Sequence, residues 1–120
     1  MNSRRFKSGD ILLATHREFR KGVHPIVYLT RHSDKSFIGA MLTHHSDTRR
    51  NLKMDMSYFD NKTDYENTYL VLAKFIKPEE WGPIKKINEL TKDGLSFVIE
   101  ILADKPEETF ANYFRRYATT

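Results

Sequence analysis

Proton transfer near neutral pH is the work of histidine, and all five histidines of this chain, His16, His24, His32, His44 and His45, fall in its first half. Two of them close an unusually polar segment, Thr43-His44-His45-Ser46, in which hydroxyls stand beside imidazoles. Arg17, Arg20 and Lys21 follow His16 and add charges that do not titrate away. Together these types suit a phosphate: cations to hold it, a hydroxyl to hydrogen-bond it, and imidazoles to take and return protons.

Such groups act only if the chain brings them together. Residues 26–30 and 37–43 are apolar runs rich in β-branched and aromatic side chains, separated by the turn formers Ser33, Asp34 and Ser36, which predicts a β-hairpin. In an antiparallel pair the start of the first strand lies beside the end of the second. His24, just before the first run, is therefore expected near Thr43, His44 and His45.

Ahead of the hairpin, residues 11–14 form a short apolar strand, followed by a basic loop over residues 15–23 that is either an arm for phosphates or a solvated connection. Beyond it, Leu52, Met54 and Met56 alternate with Lys53 and Asp55 and predict a half-exposed strand. Residues 60–67 make an acidic loop, 69–73 a buried strand, and 84–90 a short final one. Five strands within the first 76 residues, with no helix-length segment between them, favour a small barrel or sandwich. Thr91 is a candidate helix cap, and Leu95, Val98, Ile99 and Leu102 share one helical face up to about Asp104. A second helix from about Glu107 aligns Phe110, Tyr113, Phe114 and Tyr117, a stripe suited to core packing.

At 120 residues the chain suits one domain, with the barrel over about 6–90 and helices over about 91–117. The net charge of +4 conceals an imbalance: residues 1–53 hold eleven Lys or Arg against four Asp or Glu, whereas residues 54–120 hold nine against twelve. A polyanion is the partner that such a basic half would attract. Zero cysteines exclude disulfides, thiolate metal sites and thiol nucleophiles. No apolar run is long enough for a membrane span or a signal peptide, so no membrane association and a cytoplasmic location are expected.

These residue types admit four chemistries. Adjacent His44 and His45 on a strand point to opposite faces and no His-x-x-x-His spacing occurs, so no metal site is expected. No glycine-rich phosphate loop is present, and no cofactor is expected. A serine or threonine hydrolase lacks the Gly-x-Ser-x-Gly context. Metal-independent RNA cleavage, in which a ribose 2′-OH attacks the adjacent phosphate, needs a proton acceptor, a proton donor and groups to stabilise the phosphorane. The first half contains all of these types, although composition does not separate cleavage from plain binding.

The order of motifs resembles a family. Gly9-Asp10-Ile11 opening a strand, a basic loop, His24-Pro25-Ile26-Val27-Tyr28-Leu29, and a strand ending Met41-Leu42-Thr43 are similar to the PemK/MazF-like toxins, the CcdB/Kid superfamily. Tyr69-Leu70-Val71-Leu72-Ala73 and the stretch from Pro83 to Leu95 resemble a later strand, a Lys-Ile-Gly-x-Leu segment and a C-terminal helix of that family. The likeness spans about residues 6–103. It implies a mainly β fold, an SH3-like barrel of five to six strands with one or two C-terminal helices, usually a homodimer. It also implies an endoribonuclease that cleaves single-stranded RNA without a metal and is countered by an acidic antitoxin. Thr43 matches the family's catalytic hydroxyl, and His24 stands where an arginine is expected before the strand's proline. On this resemblance His24 and Thr43 are the catalytic candidates, with His16, Arg17, Arg20, Lys21, His44 and His45 as RNA-binding candidates. Asn88 replaces the family's glycine. The alternative is an SH3-like module that binds RNA or a protein without cutting.

Overall fold

A computed structural model describes residues 6–15, 23–46, 49–78, 85–109, 111–113 and 115. Its centre is the hairpin of β2 (Val23–Ser33) and β3 (Ser36–Thr43), turned through Asp34 and Lys35. The turn is set by short polar side chains: the Lys35 amide donates to Ser33 Oγ at 3.2 Å, and the hydroxyls of Ser33 and Ser36 lie 2.6 Å apart. Opposing pairs such as Val27 and Ala40, or Ile26 and Met41, fix the register. β1 (Asp10–Thr15) pairs with β2 on the hairpin's outer side, and β7 (Lys85–Glu89) pairs with β1.

β3 serves two neighbours on its other side. Its first half, Ser36 to Gly39, pairs with β6 (Lys74–Pro78), while Leu42 and Thr43 pair with β5 (Tyr69–Val71), itself flanked by β4 (Asn51–Lys53). A strand shared in this way bends the sheet, and its two ends approach: Phe59 bridges Leu90, the Asp60 amide donates to Glu89 O at 2.8 Å, and the Leu90 amide donates to Gly9 O at 2.8 Å. The sheet thereby curls into a small barrel. Its interior holds Ile11, Val27, Ala40, Leu42, Phe59 and Leu70, covered at one end by Val98 and Leu102 of the helix α1 (Lys92–Ile101). Alternate residues of the same strands, Leu12, Ile26, Tyr28 and Phe37, pack as a second layer outside. Burial on both faces explains why these strands scarcely alternate in sequence.

The architecture is mainly β with a C-terminal helix, as expected, but the described strands number eight rather than five to six. The strand expected through Leu52, Met54 and Met56 stops at Lys53. The Asp55 carboxylate accepts the Ser57 amide at 2.8 Å and caps a 3-10 turn, Met56–Tyr58, which diverts the backbone from the ladder. Leu52 and Met56 are left at the surface while Met54 is fully buried. Glu107 and Glu108, expected to begin a helix, instead form β8, parallel to β6; helix starts only after Thr109, whose hydroxyl accepts the Asn112 amide. Of the aromatic stripe, Tyr113 is buried with its ring edge-on to Phe75 at 5.1 Å, and Phe110, Phe114 and Tyr117 lie outside the described residues. In α1, Thr91 caps the first turn as expected, accepting the Gly94 amide at 3.1 Å. Ile99, expected inside, is 52% exposed. Leu95, Val98 and Leu102 face inward as expected, joined by Gly94, Phe97 and Ile101, and Gly94 lies so close to Tyr58 that an added Cβ would come within 2.4 Å of its carbonyl oxygen.

β6 went unread because a lysine takes an inward position. Lys77 is only 4% exposed, with its ammonium 5.5 Å from the centre of the Phe75 ring, and burial pushes its pKa down from 10.5 to about 8. A folded-state pKa below the unfolded one means that the unfolded chain binds more protons between about pH 8 and 10.5, so stability rises with pH across that window and the penalty is complete below it. Lys77→Met is therefore expected to stabilise the protein at pH 7 by on the order of 3 kcal/mol and to flatten the rise between pH 8 and 10, as read by urea unfolding at a series of pH values.

Candidate functional site

β3 leaves the barrel at Thr43, and the segment after it is pinned by three hydrogen bonds. The His45 amide donates to Thr43 Oγ1 at 3.2 Å, Asn51 Nδ2 donates to the His45 carbonyl at 2.9 Å, and the His44 ring nitrogen Nδ1 lies 3.0 Å from the Asn67 carbonyl oxygen. Since Thr43 Oγ1 accepts from the backbone, its own proton can be donated outward. Thr43, His44 and His45 line one cleft of about 460 Å³, whose inner wall is Leu13, Pro25 and Leu42. The barrel thus supplies an apolar back and the strand end a polar lip.

The opposite wall is the loop leading to β5, through Thr63, Asp64, Tyr65 and Thr68. Asp64 takes φ = 68°, a left-handed conformation that aspartate tolerates better than most residues. The Tyr65 ring packs on Phe59 with centroids 4.4 Å apart. Thr68 is buried, and its hydroxyl has no hydrogen-bond partner among the described residues, so a polar atom is held in the wall without an internal match. The loop is anchored by Asn88, whose side chain accepts the Asn61 amide at 3.0 Å and donates to the Asn61 carbonyl at 2.8 Å. A glycine at 88 could make neither bond.

The two strands of the hairpin run antiparallel, as expected. The last pair of the hairpin ladder is Ile26 with Met41, and two residues farther along each strand stand His24 and Thr43. The His24 side chain lies outside the described residues, as do His16, Arg17, Arg20 and Lys21. Thr43, His44 and His45 are brought together. His32 is not: it lies at the far end of the hairpin, its Nδ1 2.9 Å from Ser36 Oγ. Thr63, Asp64, Tyr65 and Thr68 were not anticipated, because in sequence they form part of a polar loop; Tyr65, an aromatic amid charged residues, is the one signal that sets the loop apart.

A second, shallower hollow is formed by Asp60, Asn61, Lys86, Ile87, Asn88 and Glu89. There Lys86 Nζ lies 3.2 Å from both Glu89 Oε1 and the buried Asp10 Oδ1, and the hydrogen bonds to Glu89 and then Asp10 raise its pKa. Asp10 Oδ2 also accepts the Lys7 amide at 3.0 Å, so this cluster ties the entry of β1 to β7.

Among the described residues no group of three or more His, Asp or Glu side chains is placed to hold a metal ion, and no helix is long and apolar enough to cross a membrane. Compared with family models, curated proteins and solved structures, the chain matches none.

Proposed function

We propose that the chain is a metal-independent endoribonuclease of the PemK/MazF-like toxin type, cleaving single-stranded RNA in the cleft at the end of β3. The observation that carries this reading is the grouping of the Thr43 hydroxyl with His44 and His45 in one cleft with an apolar back. In this assignment Thr43 donates to a non-bridging oxygen of the scissile phosphate and His24 serves as acid or base. The cleft's described lining contains no lysine or arginine, so a fixed charge must come from elsewhere. β1 ends at Thr15 and β2 starts at Val23, within two residues of Leu13 and Pro25 on the cleft wall. His16, Arg17, Arg20 and Lys21 lie between these two strands in sequence and are the candidates for holding the RNA backbone. An acidic antitoxin would cover the same basic half of a homodimeric toxin.

The test is cleavage of an end-labelled, mixed-sequence single-stranded RNA by the purified protein in EDTA. Discrete fragments ending in a 2′,3′-cyclic phosphate are expected. Intact RNA that is retarded in a gel, with retardation falling steeply as salt rises, would establish the non-catalytic binding module instead, a reading favoured by the histidine at position 24 where the family carries arginine.

A further inference from the structure

The bond from His44 to the loop has a chemical meaning that depends on its acceptor. A backbone carbonyl oxygen can only accept, so His44 Nδ1, 3.0 Å from Asn67 O, must carry the hydrogen. In the neutral ring that choice leaves Nε2 with its lone pair. An imidazole whose tautomer and orientation are fixed by a third group is the arrangement of a general base, and the third group is supplied here by the main chain of the cleft's far wall. His32 lacks this feature, since its partner is a hydroxyl that can donate or accept.

Resting on the ribonuclease reading above, the geometry points to His44 as the base that takes the ribose 2′ proton. Nε2 removes that proton while O2′ attacks phosphorus; the O2′–P bond forms, the P–O5′ bond breaks, and its electron pair leaves on O5′. His24 is then the acid that protonates O5′, and the products are a 2′,3′-cyclic phosphate and a 5′-hydroxyl. The imidazolium formed on His44 keeps its Nδ1–H on the Asn67 carbonyl, which stabilises the charge as it develops. Among the described residues the other titratable groups lining the cleft are His45, Asp64 and Tyr65, with Glu66 next to Asn67 in the chain.

The test compares wild type, His44→Asn and His44→Ala on the same labelled RNA in EDTA across pH 5 to 9. Asparagine can offer an amide N–H to the Asn67 carbonyl but has no basic nitrogen. His44→Asn is therefore expected to cleave about 10²–10⁴-fold more slowly than wild type, with the acidic limb of the pH–rate profile abolished. Added imidazole should restore part of the rate to His44→Ala, which a structural role for His44 would not allow. Wild-type rate and profile in His44→Asn would overturn the assignment and leave the ribonuclease reading standing; an inactive wild type would remove both. Should His44→Asn prove unfolded by circular dichroism, the imidazole arm decides, and absence of rescue overturns the proposal.

Discussion

Replacing Phe59 by alanine is expected to remove about 3–5 kcal/mol from the free energy of unfolding, a large part of what a domain of this size has. The ring is fully buried in the main core cluster, and its backbone makes the bridge to Leu90 that brings the two ends of the sheet together. The same ring is the surface on which Tyr65 rests, so the cavity left behind would open toward the cleft wall. Urea unfolding followed by circular dichroism reads the loss directly. A change below about 1 kcal/mol would mean that Tyr65 and Leu90 collapse into the gap, contrary to the close packing of such interiors.

Thr43→Val is expected to lower the rate of RNA cleavage about 10²–10³-fold, with little change in fold or in RNA retardation. Valine matches the shape of threonine and lacks the hydroxyl. Because Thr43 Oγ1 is held in place by the His45 amide, its proton is presented in a fixed direction, and its contribution is greatest as the phosphorane gains charge. Thr43→Ser keeps the donor and should retain most of the rate. Single-turnover cleavage in EDTA measures both variants; equal rates in wild type and Thr43→Val would place the phosphate elsewhere in the cleft.

What could be read from the residues follows from how each element earns its stability. The hairpin was legible because its strands are continuous apolar runs around a turn of short polar side chains, and the Thr91 cap because a hydroxyl before an acidic first turn has few other uses. Ile99 was misplaced on the helix because the inward stripe begins on Gly94, which has no side chain to register as apolar. β6 was missed because Lys77 occupies an inward position, and β4 was overextended because the Asp55 side chain competes with the ladder for a backbone donor. At the candidate site, Thr43, His44 and His45 were legible as a cluster of reactive types. The wall opposite was not, because Asn88 and Asn61 meet only through the tertiary fold, 27 positions apart.

The pairing of β1 with β7 joins segments far apart in the chain, Asp10 lying opposite Glu89. Such contacts close a long loop of backbone and form late, whereas the β2–β3 hairpin is local and can form early. On a ribosome, where the chain emerges from its N-terminus, the segment bearing Thr43, His44 and His45 would be exposed well before β7 is available to complete the barrel. A nascent chain would thus display its polar strand end while the core beneath it is still unsealed.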